Sequence, residues 1–213
     1  MEFIDTIYFI NLKRRTDRLE QMISELNKMN IPLEKVLRIE AVDEKVGILG
    51  CAKSHIMTIE HFISTGKKRC MILEDDFEFT ESKEKVNEIL TAIFTCGRDI
   101  DCLMIAGISN AVAPLTEGCF ATKIYYASTT SGYIITKEYA PCLLFNLKEG
   151  AEKQEKWIHA FGKPENILNL DMYWVFEQIN NNYFMSVPKL GRQRDSPSDI
   201  TSTSPCTMFL LPK

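Results

Sequence analysis

The sequence predicts an α/β fold, with a mostly parallel central sheet covered by helices. Three observations predict it. Apolar strand-like runs and helix-spaced segments alternate in the order β-α-β-α-β across residues 3–78, which calls for right-handed crossovers between parallel strands. Cys70-Met71-Ile72-Leu73 runs directly into Glu74-Asp75-Asp76, as a buried strand does when its C-terminal end meets a ligand. A length of 213 residues with 45% apolar content is enough for one domain with a true core. The expected organisation is a single domain over 1–213, with an irregular tail over about 192–213 that is rich in Ser, Thr and Pro.

Residues 3–12 are β-branched and aromatic and predict the first strand. Thr16 or Asp17 can cap a helix over 18–29, where Leu19, Met22, Ile23 and Leu26 share one face. Residues 33–42 predict a second strand. Gly47 and Gly50 allow a tight turn and close backbone approach at the start of a helix that Gly66 terminates. The acidic strand follows, then a helix over 81–96 and a short strand over 101–107. Residues 107–118 read as loop, 121–127 and 131–135 as strands, and 137–146 as a helix despite Pro141. The charged stretch 148–164, broken by Gly150, Gly162 and Pro164, is expected to be mobile or partner-facing, although its Trp157, Ile158 and Phe161 call for some packing. Asp171 stands at or near the N-cap of a helix through Tyr173, Trp174, Phe176 and Ile179, and 183–188 form a last strand.

Three adjacent carboxylates repel one another unless something positive lies between them, and hard oxygen ligands suit Mg²⁺ or Mn²⁺. The plainer reading is an acidic surface turn. Lys13, Arg14, Arg15 and Arg18 cluster where the first strand meets a helix N-terminus, an arrangement that binds phosphate. Its plainer reading is a solvated basic turn. His55, one turn into its helix, is either a hydrogen-bonded packing residue or part of a site.

A formal charge of −4 gives no electrostatic case for nucleic acid or an anionic membrane. The seven cysteines are odd in number and form no Cys-x-x-Cys pair, so no zinc site is expected. With no signal peptide at Met1 and no apolar run near ~18 residues, a soluble protein of a reducing, cytoplasmic compartment is expected, peripheral membrane association aside.

Several stretches together resemble glycosyltransferase family 25, the group of bacterial lipooligosaccharide galactosyltransferases and collagen β-galactosyltransferases. They are Asn11-Leu12-Lys13-Arg14-Arg15-Thr16-Asp17-Arg18, Gly50-Cys51-Ala52-Lys53-Ser54-His55, Ile72-Leu73-Glu74-Asp75-Asp76 and Ser131-Gly132-Tyr133-Ile134-Ile135-Thr136. Asp171, Pro188, Gln193 and Ser198-Asp199-Ile200 extend the likeness to the C-terminal end. Each piece is weak alone; their shared order is the signal.

The resemblance implies a GT-A fold, a Rossmann-like α/β/α sandwich. It implies inverting transfer of a hexose, galactose or glucose, from a UDP-sugar with Mn²⁺ or Mg²⁺. The acceptor would be a glycan such as lipooligosaccharide, or a glycoprotein bearing hydroxylysine. Asp76, with Asp75 or Glu78, is expected to hold the metal, because Asp76 and Glu78 share one face of an extended chain. Asn11, Arg15, Arg18 and Asp75 are expected at the nucleotide, with Ser54 and His55 lining the same pocket. Asp171 is the expected general base, or else a helix cap; Met172 stands where the family often has a second acid. Two other functions fit less of the pattern: a degenerate member that binds nucleotide-sugar or glycan without turnover, and a Mg²⁺-dependent nucleotidyltransferase. No Gly-x-x-x-x-Gly-Lys-[Ser/Thr] loop is present.

Overall fold

A computed structural model describes residues 1–195 of the chain. Its elements are β1 (Thr6–Asn11), α1 (Thr16–Lys28), β2 (Val36–Glu40), α2 (Gly47–Thr65), β3 (Arg69–Glu74), β4 (Phe77–Phe79), α3 (Lys83–Thr95) and β5 (Cys102–Met104). They continue with β6 (Ile108–Val112), β7 (Ala121–Ser128), β8 (Gly132–Thr136), α4 (Ala140–Phe161), α5 (Leu170–Tyr173), α6 (Val175–Asn180), β9 (Tyr183–Ser186) and β10 (Gly191–Gln193).

The main sheet has eight strands in the order β2-β1-β3-β8-β5-β9-β7-β6. Strands β2, β1, β3, β5, β9 and β6 run one way, and only β8 and β7 run against them. The sheet is therefore mostly parallel in direction, and with helices on both faces the fold is the expected Rossmann-type α/β/α sandwich. Alternation along the strands builds two cores. Ile7, Phe9, Met71 and Leu73 pack with α1 and α3 through Met22, Leu26, Val86 and Ile89. Tyr8, Ile10, Cys70 and Ile72 face α2, α4 and α5 through Phe62, Leu143 and Leu170, with Trp174 beside them.

Local differences from the sequence reading have physical causes. Neither Thr16 nor Asp17 caps α1; Arg15 holds that position without a side-chain cap, and Asp17 lies in the first turn, where a carboxylate meets the helix dipole. Gly66 does close α2, with φ of 67°. Within the expected loop 107–118, β6 pairs with β7 as an exposed edge strand, so no buried face marks it in the sequence.

The helix expected over 137–146 runs on to Phe161, and most of the stretch expected to be mobile is ordered helix. Pro141 lies in its first turn, where its missing N–H costs nothing. Gly150 is a packing site rather than a breaker: a Cβ there would meet the Tyr173 ring at 2.8 Å. The helix around Asp171 is two short helices joined at Trp174; Asn169 is the N-cap, and Asp171 stands near it, in the first turn. Arg192 and Gln193, assigned to the irregular tail, belong to β10, which pairs antiparallel with β4. Ser198-Asp199-Ile200 lie outside the described residues.

Candidate functional site

Parallel pairing of β1 with β3, Ile10 beside Glu74, brings two polar strand ends together. Asn11 closes β1, and Asp75 and Asp76 form the turn after β3. Asn11 Nδ2 donates to Asp75 Oδ2 at 2.7 Å. From the first turn of α1, the buried Arg18 guanidinium donates to Asp75 Oδ1 at 2.7 Å and lies 3.1 Å from Asp76 Oδ2. The positive charge that the acids require is thus supplied in part by Arg18.

Asp76 is also bound from the far end of the chain. Gln193 Nε2 donates to its Oδ2 at 3.0 Å, and the Arg194 N–H to its carbonyl at 2.8 Å. Its Oδ1 is buried and has no hydrogen-bond partner among the described residues. Burial first, then the charge of Glu74, push the Asp76 carboxyl up to about 6, against the opposing pull of Gln193 and Arg18.

These groups open onto a cleft of about 110 Å³ whose wall includes Arg14, Arg18, Asp43, Cys51, Glu74 and Asp76. Gly50 lets the start of α2 close against the chain leaving β2, since a Cβ there would lie 2.4 Å from the Val42 carbonyl. Ser54 fastens the same approach: its hydroxyl donates to Gly50 O at 2.6 Å and accepts from the Val42 N–H at 2.9 Å.

His55, fully buried, spans two groups. Its Nδ1 lies 2.8 Å from Tyr133 Oη and its Nε2 3.3 Å from Glu74 Oε1. Thr130 Oγ1 donates to the same Glu74 oxygen at 2.5 Å. Burial alone would raise the Glu74 carboxyl, but the His55 and Thr130 contacts outweigh it and hold the group below its ordinary value.

The remaining expected site residues are placed differently. Arg15 forks onto Asp17 at 2.9 and 2.8 Å, and it is Arg14, paired with Asp43 at 3.0 Å, that lines the cleft. Glu78 lies in β4 beyond the turn, so it does not share an extended face with Asp76. Its two oxygens accept from Arg192 at 2.5 Å and Arg194 at 3.0 Å. Asp171 comes close enough to Glu74 and Cys51 to interact electrostatically with both. Its Oδ2 accepts from the Thr129 N–H at 3.2 Å, and burial, with a contribution from Glu74, raises its carboxyl. Cys51, Glu74 and Tyr133 lie inside the quoted motifs but were given no site role of their own, and Thr130 lies outside them; the order of β3 and β8 in the sheet brings Thr130 and Tyr133 to Glu74 and His55.

The donor chemistry fits a hard divalent cation at Asp76. That residue offers a buried, unpartnered carboxylate oxygen whose negative charge is disfavoured where it stands. Asp75 and Glu78 have both oxygens occupied and contribute less readily. A second donor set, Cys51, His55 and Glu74, has its ligand atoms within 4.8 Å of one another.

No family model matches the chain. It is 24% identical over 173 residues to procollagen galactosyltransferase 2 of Homo sapiens, covering 66% of this chain and 27% of that protein. The chain therefore spans little more than a quarter of this curated relative's length. Among solved structures, a mannose-1-phosphate geranyltransferase from Thermus thermophilus superposes with a TM-score of 0.48 at 10% identity, covering 85% of this chain and 72% of the other. A glycosyltransferase involved in the glycosylation of the major capsid of PBCV-1 gives 0.46 at 11% identity, with 85% and 92% covered. No helix of the described residues is long and apolar enough to cross a membrane.

Proposed function

We propose that the chain is an inverting, metal-dependent hexosyltransferase, moving galactose or glucose from a UDP-sugar to a glycan or hydroxylysine-type acceptor. The observation that carries this reading is the Asp76 carboxylate, buried, turned up to about 6 and left with one oxygen unpartnered beside an arginine-bearing cleft. A carboxylate so placed is completed by a cation. When bound, a divalent cation offsets the negative charge that gathers on a departing diphosphate.

The chain's own groups supply the rest. Arg18, fixed by Asp75, adds a preorganised positive charge at the diphosphate end, and Arg14 adds a second. Asn11 and Asp75 hold that arginine in place and contact the nucleotide through it. Arg15 supports the turn from β1 to α1, Ser54 and His55 shape the pocket wall, and Glu78 locks β4 to β10. Asp171 is the general base: its raised pKa strengthens it as a proton acceptor from a sugar or hydroxylysine hydroxyl. The name of the curated relative favours galactose as the sugar.

The test is a screen of UDP-sugars for Mn²⁺-dependent UDP release, with and without glycan and hydroxylysine-peptide acceptors. UDP release with a β-linked product supports the proposal, and pyrophosphate release assigns nucleotidyl transfer instead. Asp76→Ala is expected to abolish turnover in a protein that stays folded. An unchanged rate in that variant removes Asp76 from the metal site.

A further inference from the structure

We propose a second cation site in the same cleft, built from Cys51, His55 and Glu74 and selective for a thiophilic divalent ion of the Zn²⁺ class. Cys51 and His55 stand four residues apart on α2 and so share one face of the helix. Glu74 ends β3 opposite them. Their Sγ, imidazole nitrogen and carboxylate oxygen all lie within 4.8 Å of one another. Tetrahedral zinc bonds of about 2.0–2.3 Å place ligand atoms roughly 3.4–3.8 Å apart, so closing the set needs a shift of about an ångström.

The surroundings favour the ion in two further ways. His55 Nδ1 is 2.8 Å from Tyr133 Oη, so an Nδ1–H directed at that oxygen leaves Nε2 facing Glu74 and the site. A partner on the far nitrogen is the usual way a metal-binding histidine is oriented. The charges of Glu74, Asp171 and Asp76 all act on Cys51. With no cation, burial and those acids keep the thiol protonated, which disfavours a nucleophilic role; a cation reverses the field and takes the thiolate as ligand. Sulfur and imidazole donors distinguish this site from the all-oxygen one at Asp76.

Co²⁺ is the probe, because thiolate coordination produces a sulfur-to-metal charge-transfer absorption that oxygen sites lack. The folded wild-type protein is expected to develop that band as one equivalent is added, and Zn²⁺ to bleach it. Asp76→Asn should retain the band, and Cys51→Ala, checked for folding by circular dichroism, should lose it. Tyr133→Phe should weaken Co²⁺ binding by about 10-fold or more. No band in the wild type, a band that persists in Cys51→Ala, or one lost with Asp76→Asn overturns the separate site.

Discussion

At the residue scale, the cleft is governed by two carboxylates whose surroundings raise them, and each makes a prediction. A free aspartate ionises at about 3.9, whereas Asp76 in the fold does so at about 6. Between these values the folded state keeps a proton that the unfolded state has lost, so stability falls as pH rises through that window. By neutral pH the loss is on the order of 2–3 kcal/mol. In the presence of a chelator, Asp76→Asn should therefore melt higher than wild type at pH 7, by roughly 5 °C for a chain of this size. Below about pH 4 the two should coincide, and equal melting at pH 7 would contradict the burial argument. Asp171 is raised in the same direction, chiefly by burial. If it is the base, kcat/KM should climb with pH along a limb set above the usual aspartate range. Asp171→Asn, which still accepts from Thr129, should lower kcat by about 10²–10⁴ and erase that limb. A limb that survives the substitution belongs to another group.

At the scale of elements, α4 and its neighbour α5 set the position of Asp171. Gly150 on α4 faces the Tyr173 ring, and Tyr173 is tied by its hydroxyl to Glu149 and Lys153, both at 2.6 Å. Alanine is ordinarily better than glycine in a helix by about 1 kcal/mol. Here its Cβ would stand 2.8 Å from a ring that cannot swing aside without breaking those bonds, a cost of about 1–3 kcal/mol. Gly150→Ala should therefore lower the melting temperature and, by shifting α5, reduce kcat more than donor binding; a raised melting temperature would refute the contact. The same glycine shows what the sequence could not reveal. Pro141 and Gly150 look like breakers because their local preferences are poor, yet one sits where no N–H is needed and the other where no side chain fits. A helical period made α2 legible, and unbroken apolar runs made β1 and β3 legible, because both faces of those two strands are buried. Strand β6 is exposed throughout, and β4 and β10 are three residues each, too short for a period to register. That Asn11, Arg18, Asp75 and Asp76 would stand together was readable, because the parallel strands β1 and β3 end side by side and α1 starts just after β1. The contacts of Tyr133 and Thr130 with His55 and Glu74 were not, since they depend on β8 entering the sheet antiparallel between β3 and β5.

At the scale of the whole molecule, the site is closed by a segment that returns from the far end of the chain. Arg194 donates to Glu25 at 3.1 Å across 169 positions and to Glu78 at 3.0 Å, while its backbone N–H holds the Asp76 carbonyl. Glu25 is buried and also accepts from the Phe79 N–H, so α1 and β4 meet at this one guanidinium just past the end of β10. Arg194→Ala leaves a buried carboxylate short of a partner, and a loss of about 2 kcal/mol is expected at neutral pH. The pH dependence follows from Glu78, whose carboxyl Arg194 and then Arg192 hold below the ordinary glutamate range. A lowered folded pKa gives stability that is complete above the unfolded value and disappears as pH falls through the folded one. The gap between wild type and Arg194→Ala, followed by urea unfolding, should therefore be widest at neutral pH and narrow in acid. A gap of constant size from pH 7 to pH 3 would mean that the arginine acts through packing alone. Because Gln193, the neighbouring residue at the end of β10, donates to Asp76, the variant should also weaken Mn²⁺ binding without altering the sheet. Weak metal binding with an intact far-ultraviolet spectrum would join chain closure to the chemistry proposed for the cleft.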